Sequence, residues 1–229
     1  MNDIRSDLGR KAFTGLAQFT AAMALLLFLA AWTLRYWQGW LFLIVFCGAC
    51  AVTTLYFLRT DPKLVERRMA VGPAAETEPA QKRIMAITSV GFFLLMLVPA
   101  LDFRWHWSSV PVWLVIAGDL GVAVSFYLIV LVLRQNSFAA ATIRVEANQT
   151  LVTTGAYAIV RHPMYAAALP LFFFTPLALG SYWGLLVAVA IVPALTWRLL
   201  DEENYLVRHL PGYAAYRQRT RYRLIPWVW

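Results

Sequence analysis

Residues 165–200 read YAAALPLFFFTPLALGSYWGLLVAVAIVPALTWRLL, and this stretch decides the fold class. Apart from Arg198 it holds no charged residue over a length well beyond one membrane crossing, which takes about 20 apolar residues in a helix. Gly180-Ser181-Tyr182 interrupts it near the middle with a turn signal. The reading that satisfies both facts is a tight helical hairpin of two shorter spans. Four further apolar stretches lie upstream, at 13–34, 40–58, 84–101 and 111–133. The expected architecture is therefore all-α, a polytopic membrane protein of about six transmembrane helices ending in a helical hairpin. Region 1–133 is expected to be a transmembrane scaffold of four spans with one polar loop. Region 134–229 is expected to be the catalytic part.

Composition supports the same class. Of 229 residues, 61% are hydrophobic and 14% charged, against about 45–50% and about 25% in a soluble domain. The formal charge of +8 would suggest nucleic acid in a soluble protein, but its distribution excludes that partner. Eighteen of the twenty Lys and Arg residues fall before span one, between spans two and three, between spans four and five, or after the last span. The opposite loops hold only Arg35 and Arg104. The positive-inside rule then puts both termini in the cytoplasm, with the chain integral to the inner (cytoplasmic) membrane and its basic face against anionic lipids. Trp32, Trp37, Trp40, Trp105 and Trp107 fit an interfacial belt on the far side. Cys47 and Cys50 share a helical face without His or acidic neighbours, so no metal site is expected.

Three clusters at the basic face can carry chemistry. The first is TTGAYAIVRHPMY, residues 153–165, in which Gly155 permits a turn and Pro163 suits the first turn of a helix. That helix start offers free N–H groups and a positive dipole end, favourable for a carboxylate. The second is Arg198 with Asp201, Glu202 and Glu203, where Arg198 and Glu202 are four apart and share a face. A hairpin brings this acidic run beside His162. The third is the tail, Pro211-Gly212-Tyr213-Ala214-Ala215-Tyr216 followed by Arg217, Arg219, Arg221 and Arg223. Asp119, about 12 Å into its span, is expected to make a buried hydrogen bond to another span.

These motifs, in this order, resemble the isoprenylcysteine carboxyl methyltransferase-like family and the related phospholipid methyltransferases. The likeness rests on Arg161-His162-Pro163-Met164-Tyr165, on Arg198 with Glu202 and Glu203, on Pro211 to Tyr216 as Pro-Gly-Tyr-x-x-Tyr, and on Arg-Tyr-Arg-Leu-Ile-Pro at 221–226. Leu101-Asp102-Phe103-Arg104 and the run DPKLVERR at 61–68 also look like bacterial members. Ala167 stands where the family has a glycine. The resemblance implies methyl transfer from S-adenosylmethionine within the membrane. It maps cofactor contacts onto Gln149, Thr150, Leu151, Val152, Tyr157, His162, Pro163, Met164, Tyr165 and either Glu202 or Glu203. It maps the substrate-carboxylate arginine onto Arg198.

Elementary chemistry agrees with that assignment. An electrophilic methyl needs mainly to be held in line with its acceptor. Arg198 can orient an anionic acceptor bidentately, and a carboxylate acceptor, slightly favoured by that arginine, needs no base. A phospholipid amine or a thiol would need a proton acceptor, for which His162 or a glutamate serves. The catalytic candidates are thus Arg198, Glu202 and His162, and the expected partners are a lipophilic or lipid substrate and membrane lipids. Two rival readings are an NADPH-dependent enzyme similar to membrane sterol reductases and a non-enzymatic lipid-binding or transport protein.

Overall fold

The computed structural model describes residues 2–76, 78–143, 145–146 and 148–229, with side chains from residue 6 onward. Arg144 and the side chain of Arg5, both counted toward the basic face, lie outside the described residues. The chain is helical, and no strand occurs among the described residues. In order come α1 (Asn2–Ala31), α2 (Trp37–Thr60), α3 (Pro62–Met69), a 3-10 turn (Pro73–Ala75), α4 (Pro79–Trp105), α5 (Val112–Leu133), α6 (Ala156–Ile159), α7 (Pro163–Ala178), α8 (Trp183–His209) and α9 (Tyr213–Arg219). Helices α1, α2, α4, α5 and α8 are long and apolar enough to cross a membrane, while α7 is apolar but has 16 residues. Outward-facing side chains such as Leu29, Ile44, Val124 and Leu186 are exposed, as expected of a surface that meets lipid.

The hairpin is less even than its sequence suggests. Helix α8 does not stop near residue 200 but runs 27 residues without a break to His209. The segment after Leu200 is rich in Glu, Leu and Arg, all good helix formers, and meets its first breakers at Pro211-Gly212. The turn itself falls where expected: Gly180 has φ of +73°, which a residue with a Cβ adopts only at a cost.

Packing is densest where α7 lies against α5. A Cβ added at Gly118 would come within 2.4 Å of the backbone nitrogen of Ala178, and one at Gly121 within 2.2 Å of the Phe174 ring. Small residues three apart thus let the two backbones close on each other, a common device between membrane helices. Asp119, between those glycines, is buried, yet neither carboxylate oxygen has a hydrogen-bond partner among the described residues. The expected bond to another span is not made among the described residues.

The end of the bundle away from the basic residues is fastened by Asp102 at the close of α4. Its Oδ1 accepts from the Ser108 N–H at 2.6 Å, and its Oδ2 from the hydroxyls of Ser108 at 2.6 Å and Ser181 at 2.5 Å. The Ser181 oxygen in turn caps the Gly184 N–H at 3.0 Å. The Tyr36 hydroxyl donates to the Leu179 carbonyl at 2.6 Å. Trp32, Trp37, Trp40, Trp105 and Trp107 are all exposed at this end.

Candidate active site

At the basic end, a single buried carboxylate organises the chain's last third. Glu203, on α8, is 2% exposed. Its Oε1 accepts from Arg161 Nε at 2.6 Å and lies 3.3 Å from His162 Nε2, while Oε2 accepts from Arg223 Nε at 3.1 Å. Arg161 also donates to the carbonyls of Thr220 and Arg221, both at 3.0 Å. Backbone bonds from Arg161 to Tyr222 and from His162 to Arg223 complete the join. The loop before α7, the end of α8 and the tail are thereby one unit. Every charge around Glu203 is spent inside the protein, so this glutamate is structural in its contacts.

Its neighbour Glu202 is placed differently. One oxygen, Oε2, accepts from the Tyr165 hydroxyl at 2.7 Å. That same phenol oxygen accepts from Arg198 Nε at 3.1 Å. Arg198 and Glu202 share a helix face as expected, but Tyr165 stands between them and relays the interaction. The remaining nitrogens of Arg198 are also engaged: one with Gln81 Oε1 at 3.2 Å, the other with Glu76 Oε1 at 2.9 Å and the Ala141 carbonyl at 2.9 Å.

Glu76 comes from the connector between α3 and α4 and Gln81 from the first turn of α4, and they are fully buried or nearly so. Glu76 Oε2 also accepts from the Ile143 N–H at 3.1 Å, and Gln81 donates to Asp201. Helix α3, which leads into that connector, grips the segment after α5 at further points. Arg67 forms a two-pronged pair with Glu146, both bonds 2.8 Å, and Arg68 donates to the Ala139 carbonyl at 3.1 Å. Two connectors that are far apart in the chain are therefore laced together beside the ends of α7 and α8.

Inside this frame lies a cavity of about 700 Å³, a size suited to a cofactor or drug-sized ligand. Gln149, Thr150, Leu151 and Val152 line it from the segment before α6, and Tyr157 from α6. His162, Pro163, Met164 and Tyr165 line it from the start of α7, with Arg198 and Glu202 from α8. Glu203 is not in its wall. Ala167, the departure from the family's glycine, does not line it either, so the extra methyl does not narrow it. The cavity continues between helices as an apolar passage walled by Phe19, Phe92, Leu169, Phe172, Val192 and Leu195.

Leu206 and Leu210 went unnamed in the sequence, whereas Tyr213 and Tyr216 belong to its third cluster. Leu206, Leu210, Tyr213 and Tyr216 enclose the cavity from α8 and α9. Their signal was the Pro-Gly-Tyr-x-x-Tyr motif itself, whose two tyrosines lie on one helical face. Tyr213 is 3% exposed, and its hydroxyl has no partner among the described residues. A buried O–H without a partner costs about 1–3 kcal/mol, so a wall carrying one is suited to a ligand with an acceptor atom. Burial holds the phenols of Tyr157 and Tyr213 above their usual range and pushes that of Tyr216 up to about 12. All three are neutral near pH 7; Tyr216 donates to the Tyr157 carbonyl at 2.7 Å. Glu76 and Gln81 carried no sequence signal, since the connector reads as an ordinary polar loop.

Residues 113–211 match the family model described as phospholipid methyltransferase. The match opens in α5 and runs through α7 and α8, and so takes in most of the cavity wall. No curated protein matches the chain.

Proposed function

We propose that this chain, which the match at residues 113–211 groups with the phospholipid methyltransferases, moves a methyl group from S-adenosylmethionine to a lipid acceptor at its basic end. The observation that carries this reading is the joining of two environments in one 700 Å³ cavity: a polar chamber at Tyr165, Glu202 and Tyr213, and an apolar passage between the helices. S-adenosylmethionine supplies, when bound, a methyl group already electrophilic on its sulfonium. Glu202 is the carboxylate with capacity to hold an ammonium, because Glu203 is consumed by Arg161, His162 and Arg223. Tyr165 orients Glu202, and the unpartnered Tyr213 hydroxyl offers a donor to a ligand oxygen or ring nitrogen. With the basic face toward the cytoplasm, that chamber opens on the compartment where the cofactor is dissolved.

The acceptor follows from Arg198. With Glu76 on its guanidinium at 2.9 Å, Arg198 no longer presents a free positive charge, which removes the main reason to favour an anionic acceptor. A lipid amine fits better, because the wall carries a proton acceptor in His162, which a carboxylate acceptor would not need. An amine arrives protonated and must lose that proton before it can attack. His162 is suited to take it: Glu203 can only accept from Nε2, so in the neutral ring Nδ1 is the nitrogen with a free lone pair. The apolar passage would hold the acyl chains. The NADPH reading is weaker, because the arginines of the wall are committed elsewhere: Arg68 to Ala139, Arg161 to Glu203 and Arg198 to Glu76.

The test is transfer of labelled methyl from S-adenosylmethionine into a membrane lipid extract by the purified chain. Label should appear in an amine-bearing lipid with the native chain and be lost with Glu202→Gln. No labelled product together with no S-adenosylmethionine binding would overturn the reading. Saturable NADPH binding in its place would select the reductase class.

A further inference from the structure

A second cavity, of about 490 Å³, lies on the other side of Arg161. Four arginines line it (Arg161, Arg217, Arg221 and Arg223), together with Gln218. Arg161 is shared with the wall of the larger cavity and separates the two. No Asp or Glu lines this smaller space among the described residues. The carboxylate behind it is Glu203, which is buried and already divided between Arg161 Nε, Arg223 Nε and His162. Arg217 and Arg221 make no ion pair with a described residue. Four guanidinium charges thus face one carboxylate that is itself out of solvent.

Charges of one sign held together repel, and a bound anion would relieve that repulsion. Two of the four cannot move apart, because Arg161 is fixed on the carbonyls of Thr220 and Arg221 and Arg223 lies over the Trp229 ring at 5.2 Å. Those two are rigid, while Arg217 and Arg221 are free to adjust. Guanidinium forks match the oxygens of a phosphate group in pairs, and a phosphate monoester brings close to two negative charges. We propose that this arginine-lined cavity is a binding site for a phosphate-bearing anion, distinct from the chamber at Glu202. The phosphate belongs either to a lipid headgroup or to a soluble phosphate compound. The site does not depend on the methyltransferase reading, although it reaches the larger cavity through Arg161 and Arg223, Glu203 and His162.

Calorimetric titration of the full chain in a zwitterionic detergent at fixed ionic strength tests this. One arm uses inorganic pyrophosphate, and the other uses dioctanoyl phosphatidic acid with dioctanoyl phosphatidylcholine as its comparison. Saturable binding is expected in at least one arm, weakened about tenfold or more by the double variant R217Q/R221Q, which removes two charge-assisted contacts. The variant K82Q/R83Q loses the same charge at an exposed site on α4 and should bind within about twofold of the native chain. R217K/R221K, which keeps the charge but not the fork, should fall between them and keeps the result readable should the glutamine variant unfold. Pyrophosphate binding alone assigns a soluble ligand, and phosphatidic acid binding alone assigns a headgroup. No saturable binding in either arm, or equal losses in R217Q/R221Q and K82Q/R83Q, would overturn the proposal.

Discussion

The two ends of the helical bundle use the same chemical means for different results. At one end Asp102 gathers the Ser108 N–H and the hydroxyls of Ser108 and Ser181, and its donors fill the space around it. At the other, Glu203 gathers Arg161, His162 and Arg223 just as completely, yet a large cavity opens beside it. The difference lies in the partners. Serines and a backbone N–H are short, so the Asp102 clasp draws α4 directly onto the turn before α8. Arginines are long, so the Glu203 knot ties the tail to α8 at a distance and leaves room between. A closed end and a hollow end can thus be made from one device, a saturated carboxylate, by changing the length of the donors.

If that contrast is right, variants at the two ends should fail in different ways. The largest effect is expected from Glu203→Ala, which leaves two guanidinium groups facing no carboxylate. It should cost about 3–5 kcal/mol of stability, read as a large drop in the denaturation midpoint together with lost cofactor binding. Asp102→Ala should cost less, about 1–3 kcal/mol, and should leave S-adenosylmethionine affinity unchanged in the protein that remains folded. Equal loss of affinity at both ends would break the comparison. Gly121→Val, at the α5–α7 seam, should also lower the midpoint, by about 1–3 kcal/mol through overpacking against Phe174.

The reverse pattern is expected inside the cavity. Glu202→Gln should leave the midpoint near that of the native chain while lowering methyl transfer about a hundredfold, measured with labelled cofactor. Tyr213→Phe should give the smallest change. It should weaken cofactor binding several-fold and leave stability level or slightly raised, because the hydroxyl it removes is unpartnered in the chain. A sizeable stability loss in Tyr213→Phe would mean that the hydroxyl serves the fold and not a ligand.

How much of this was legible follows from the range of each interaction. The helices were readable because apolar runs and the Gly180 turn are local patterns. The residues that come together at the cavity were readable through their motifs, with Gln149, Tyr157, His162, Tyr165 and Glu202 all in its wall. What could not be read was which of Glu202 and Glu203 faces the cavity, since adjacent residues on a helix point about 100° apart and nothing local says which direction is occupied. Glu76 was equally hidden. Its partner Arg198 is 122 positions away, and no periodicity links a loop acid to a buried arginine. Asp119 shows the opposite failure: its burial was readable, but whether a donor meets it depends on side chains from other helices, which no local pattern records.

The unequal lengths of α7 and α8 have one more consequence. At 1.5 Å per residue the 16 residues of α7 span about 24 Å and the 27 of α8 about 40 Å. Starting from a shared turn, α7 therefore ends about 16 Å short of the tip of α8, and the chamber occupies that step. The cavity is a well, polar at Tyr165, Glu202 and Tyr213 and apolar where Phe92, Phe172 and Leu195 line it. Drawing a lipid out of its leaflet costs about 0.8 kcal/mol for each methylene exposed, so a chain of ordinary length would resist full removal by roughly ten kcal/mol. On the proposed function, a lipid acceptor would keep its tails in the apolar passage and the soluble methyl donor would make the journey instead.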